Sequence, residues 1–144
     1  MTARSARLQP AVEQAQRREQ DALQRLAEQQ RRMAYVQQQL DDLERYRKEY
    51  SVGAGGLTVS ALLNRQQFVE RINQAIIQQG LEVERQRRVT EGARLQWLQT
   101  HARERALDSV VERFREQERQ SEQRQEQAEV DERMQYRRRP AGSI

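Results

Sequence analysis

The chain has 144 residues, of which 35% are hydrophobic and 33% charged, and its mean hydropathy is −1.13. That is too little apolar material for a layered globular core, but enough for the narrow seam of a two-helix coil built from Gln, Glu, Arg, Ala and Leu, all good helix formers. The net charge of +4 arises from 26 basic against 22 acidic residues, so the surface is mixed rather than a polyanion-binding block.

The amino terminus, Met1-Thr2-Ala3-Arg4, has no apolar region behind it and reads as no signal peptide. No apolar run approaches the roughly 20 residues that span a bilayer. With no cysteine there is neither a disulfide nor a thiolate metal site. The expectation is an intracellular protein without membrane insertion.

Helix one is expected from about residue 8 to 50, with Pro10 tolerated in its first turn. Its heptad runs without a stutter. The a positions are Val12, Glu19, Leu26, Met33, Leu40 and Arg47. The d positions are Leu8, Ala15, Ala22, Gln29, Val36, Leu43 and Tyr50. Ten of these thirteen are apolar or aromatic, which is a coiled-coil seam.

Residues 51–57, Ser-Val-Gly-Ala-Gly-Gly-Leu, hold three of the six glycines and read as the chain reversal. Helix two is expected from about 58 to 136, capped by Thr58 or Ser60. Its a positions are Leu62, Val69, Ile76, Val83, Thr90, Trp97, Glu104 and Val111. Its d positions are Arg65, Ile72, Gln79, Gln86, Ala93, Thr100, Leu107 and Phe114. Residues 137–144 read as a flexible tail. The fold class that follows is all-α: a single coiled-coil domain in which two long helices form an antiparallel hairpin, the second longer and overhanging.

Placing Tyr50 opposite Leu62 sets Val36 against Ile76, Ala15 against Trp97, Arg32 against Glu82, and Arg47 uncomfortably near Arg65. In this register helix one runs out near residue 104. The apolar patch Leu107, Val110, Val111 and Phe114 then has no partner within the hairpin and invites another chain. Ile77 at b and Leu81 at f face solvent.

Chemistry is not expected. His101 is the single histidine, and Asp108 and Ser109 are its neighbours along a helix rather than a triad. The glycine-rich turn lacks the lysine and strand of a phosphate-binding loop. The reading is a non-enzyme, with no cofactor, metal or small-molecule substrate. Recognition by the hinged tip remains, since Tyr46 and Phe68 flank the seam at g positions and stay half exposed.

The order Gln39-Leu40-x-x-Leu43-x-x-Tyr46-x-x-Glu49-Tyr50, a glycine-rich turn, then Gln66-Gln67-Phe68-Val69-x-x-Ile72-x-x-Ala75-Ile76-x-Gln78-Gln79 resembles the FliJ family of the bacterial flagellar type III export apparatus. The resemblance covers nearly the whole chain. It implies a stalk-like coil that enters the ring of the export ATPase (FliI), contacts the export gate (FlhA) and recycles export chaperones. It further implies a role in flagellum biogenesis, motility and chemotaxis, and a cytoplasmic protein peripheral to the inner face of the cell membrane. Carried over by position, the gate surface is Phe68, Ile72, Ala75 and Gln79. The chaperone surface is Gln39, Leu43, Tyr46 and Tyr50. Gln79 departs from the histidine common at that family position. The alternatives are the equivalent stalk of a virulence secretion system, an Arg-rich polyanion-binding coil, or a structural coil that self-associates through the overhanging helix.

Overall fold

The computed structural model describes residues 3–51 and 55–138. Part of the glycine-rich turn and the last residues of the tail expected to be flexible lie outside the described residues. Three helices follow in order: α1 (Arg4–Arg7), α2 (Gln9–Ser51) and α3 (Val59–Arg138). The two long helices pack against each other as a helical hairpin, α2 with 43 residues and α3 with 80. At the turn Gly56 has φ of 87°, a left-handed conformation that favours glycine. Thr58 caps α3, its Oγ1 accepting from the Ala61 N–H at 3.2 Å.

The chain divides into two compact units, Glu19–Thr100 and Met1–Arg18 with His101–Ile144. In the first, Ala22 and Leu26 from α2 and Ile72, Val83 and Gln86 from α3 are buried. In the second, Val12 and Val111 are buried. Every one of these lies on an a or d position, because only a 3.5-residue repeat keeps one stripe facing a neighbour along a long helix. The seam is narrow, and no large side chain among the described residues is fully enclosed.

Polar layers punctuate the seam of the Glu19–Thr100 unit. The Gln86 amide donates to Gln29 Oε1 at 2.7 Å, and Thr90 Oγ1 donates to the Gln29 carbonyl at 3.3 Å. Gln79 Nε2 donates to the Val36 carbonyl at 2.9 Å, and the Trp97 indole Nε1 donates to Glu19 Oε1 at 3.0 Å. These bonds correct the expected register. Val36 meets Gln79 rather than Ile76, Trp97 meets Glu19 rather than Ala15, and the Tyr50 carbonyl meets Arg65 rather than Leu62. Counting also Thr90 with Gln29, Tyr50 with Phe68 and Arg47 with Asn73, the partner on α3 lies three to eight residues beyond the expected one, a displacement of about one to two helical turns. Sliding by three or four residues exchanges a and d positions and leaves an apolar seam intact, so the polar partners decide between registers.

The expected cross-helix pair of Arg32 and Glu82 is replaced by local ones. Arg32 meets Glu28 at 3.0 Å, and Arg85 Nε meets Glu82 at 3.1 Å. Further pairs join Arg45 with Asp42, Arg87 with Glu84, Arg94 with Glu91 and Arg119 with Glu116. In each the acid precedes the arginine by three or four residues, a spacing a helix supplies without closing a loop.

The end of the hairpin also differs from expectation. The segment ahead of Pro10 forms α1, and Ser5 bonds Glu118 through both its N–H, at 3.1 Å, and its hydroxyl, at 2.7 Å. The Arg4 guanidinium lies 5.8 Å from the Phe114 ring centroid. The patch expected to lack a partner is therefore covered: Val111 is 3% exposed, and Leu107 and Phe114 are half-buried. α3 becomes fully exposed only over residues 119–138. Pro10 explains the break, since it cannot donate to the carbonyl of Ala6 and α1 cannot run smoothly into α2.

The Ser5 hydroxyl and N–H hold the Glu118 carboxyl below its ordinary value. A lowered folded-state value means this docking is complete above the ordinary carboxylate range and is lost as pH falls through the lowered value. The Ser5 amide proton shift, followed by NMR, should titrate with a midpoint below the usual glutamate value. In Glu118→Gln that titration disappears.

Candidate partner-binding surface

The tip is built where α2 ends and α3 begins. The last carbonyls of a helix have no partner within it, and Arg65 supplies one. Its Nε donates to the Tyr50 carbonyl at 2.5 Å, and Nη2 to the Glu49 carbonyl at 3.4 Å. A cation there also suits the negative end of the helix dipole. Arg47 turns instead to Asn73, with Nη1 to Oδ1 at 3.4 Å. The feared clash of two arginines resolves into one helix cap and one exposed polar contact.

Arg65 then fixes an aromatic pair. Its guanidinium lies 5.7 Å from the Tyr50 ring centroid, and the Tyr50 and Phe68 rings meet at 4.8 Å with an interplanar angle of 55°. That tilted geometry is favoured by the ring quadrupoles. Both rings remain exposed, as does Tyr46. The ring that meets Phe68 is thus Tyr50. Beside them, Tyr50, Leu62, Arg65 and Val69 line part of an open groove of about 490 Å³.

At the other end of this strip Gln79 Nε2 donates to Gln39 Oε1 at 3.2 Å, and Gln39 Nε2 donates to the Tyr35 hydroxyl at 3.0 Å. The residues expected at the gate and chaperone surfaces are therefore joined twice, by Tyr50 with Phe68 and by Gln39 with Gln79. Within the gate set Phe68 is exposed, Ala75 and Gln79 are half-buried, and Ile72 is buried in the seam. Within the chaperone set Gln39, Tyr46 and Tyr50 are exposed and Leu43 is half-buried. Of the four residues expected at the ATPase, Val110 is the exposed one.

Sequence reasoning missed Arg65 as a cap and Glu19 as the acceptor for Trp97. In both cases the signal was a charged residue on a seam position, which calls for a partner across the seam. Among the described residues no group of three His, Asp or Glu side chains gathers to hold a metal ion, and no helix is long and apolar enough to cross a membrane.

A helical hairpin with a part-polar seam and an exposed aromatic tip defines a coiled-coil protein. The family model described as "Flagellar FliJ protein" matches residues 4–141. The chain belongs to the FliJ family, coiled-coil proteins associated with flagellar type III export. Comparison with curated proteins and with solved structures returns no match.

Proposed function

We propose that this protein acts as one coiled-coil domain, a non-enzymatic stalk of the flagellar export apparatus that binds the export ATPase and the export gate and escorts export chaperones, peripheral to the inner face of the membrane. The gate is met by Phe68, Ala75 and Gln79, with Ile72 supporting them from the seam. Chaperones are met by Gln39, Tyr46 and Tyr50, supported by Leu43. The ATPase is met through Val110 and, once the 4–7 segment lifts, Leu107, Val111 and Phe114. The observation that carries the reading is the pair of links, Tyr50–Phe68 and Gln39–Gln79, which unites the two expected tip surfaces in one strip. One strip serving two partners means they compete, so a chaperone is released as the gate is engaged.

Tyr46→Ala combined with Phe68→Ala tests this. Both side chains are exposed, so the helical circular dichroism should be retained. Affinity for the gate's cytoplasmic region should fall about thirtyfold, the size expected when interface aromatics worth about 2 kcal/mol are removed. Swimming and filament export should fall with it. Normal swimming at normal protein level would remove the strip from the mechanism.

A further inference from the structure

α1 is fastened to α3 by polar contacts rather than by packing. None of its residues is buried, and Arg4, Ala6 and Arg7 are exposed. What fastens it is Ser5, with its N–H and hydroxyl on the Glu118 carboxylate, and the Arg4 guanidinium over the Phe114 ring. Beside these contacts runs an open groove of about 560 Å³, lined in part by Arg7, Gln117 and Ser121. Contacts of this kind contribute little net free energy, because water offers both sides nearly equal partners.

The root of α1 is weak as well. Pro10 offers no N–H to the Ala6 carbonyl, so the helical ladder is interrupted where α1 meets α2. The Val12 N–H ties Leu8 to α2 at 2.9 Å, whereas the Leu8 N–H reaches the Arg4 carbonyl at 3.3 Å. The hinge therefore falls between Arg7 and Leu8. Counting back one heptad from Val12, Ser5 stands on an a position, so the closed segment continues the seam along α3.

We propose that α1 is a hinged cover over a docking site formed by Phe114 and Glu118, which a partner reaches by displacing α1 with the same chemistry, a guanidinium for the ring and N–H or O–H donors for the carboxylate. The cover regulates the contact proposed for the export ATPase and rests on that contact. Lifting α1 leaves an aromatic face beside a carboxylate that has lost its donors. A basic segment satisfies both, and an acidic one is repelled by Glu118. A site that is covered most of the time binds with an affinity lowered by its open fraction.

Binding of the purified export ATPase to the full chain, with amide exchange of the free chain, tests it. The double change R4A/S5A unfastens the cover and leaves Phe114 and Glu118 in place. It should bind about tenfold more tightly than wild type, the gain expected for a site about nine-tenths covered. Pro10→Ala restores the missing N–H and joins α1 to α2. It should slow amide exchange over residues 5–8 and weaken ATPase binding by about threefold. Phe114→Ala removes the site and should weaken binding by about tenfold or more. Circular dichroism at the assay temperature confirms that each variant is helical. Weaker binding by Phe114→Ala with no gain in R4A/S5A, or tighter binding by Pro10→Ala, would overturn the cover alone. Equal binding by all four forms would overturn the ATPase contact on α3 and the cover with it.

Discussion

Val83→Asp should unfold the Glu19–Thr100 unit at temperatures where the wild type is fully helical. Val83 is 3% exposed, and aspartate has nearly its volume, so the change puts a carboxylate into the seam without opening a cavity. An unpaired buried charge costs several kcal/mol, a large share of what holds a seam this narrow. Val83→Ala, which removes only methyl groups, should cost roughly 2 kcal/mol. Val89→Asp, on an exposed position of the same helix, should change stability by less than about 0.5 kcal/mol. Thermal melts followed at 222 nm order the three. A Val83→Asp melt within a degree or two of Val89→Asp would mean the seam does not carry the fold.

The second large effect runs the other way. Replacing both Gln29 and Gln86 by Leu should raise stability by about 1–3 kcal/mol, because a polar layer is maintained at a cost to a coiled coil. Gln86→Leu alone should lower it by about 1 kcal/mol, since the Gln29 side chain loses the donor it faces. The double variant should also lose its single register. Without the Gln86–Gln29 and Thr90–Gln29 bonds, the arrangement shifted by one turn comes close in energy. The chain has no cysteine, so spin labels on cysteines placed at the exposed positions Gln38 and Gln78 report directly. The distance distribution should broaden or split by roughly 5 Å, and gate affinity should fall although the protein is more stable. A distribution as narrow as that of the wild type would show that the apolar residues set the register alone.

Those two expectations mark what was legible in the sequence. The repeat placed Val12, Ala22, Leu26, Ile72, Val83 and Val111 in the seam, and all are buried. A period is a local property, and hydrophobic spacing reports it faithfully. The register is not local. A turn of displacement swaps a for d and satisfies the same aliphatics, so Trp97 was set against Ala15 although its indole needed the Glu19 acceptor. α1 escaped for another reason: Pro10 suggested a beginning, whereas it separates two helical segments. Ile77 and Leu81 were expected in solvent from their b and f positions, and both are exposed. The tip surfaces came from resemblance, and the geometry adds that Ile72 is buried in the seam rather than presented.

Every side chain from residue 119 to 138 is exposed. That stretch receives nothing from the seam, so its helicity rests on intrinsic propensity and local pairs such as Arg119 with Glu116. Amide exchange along α3 should therefore grade from slow to fast in this direction. A partner that grips only the far end must first meet the entropy of holding it straight, and its affinity is reduced by that amount. Contacts made there dissociate quickly. Contact through the exposed end of α3 alone is thus short-lived, and a partner held there can be exchanged while the seam stays intact.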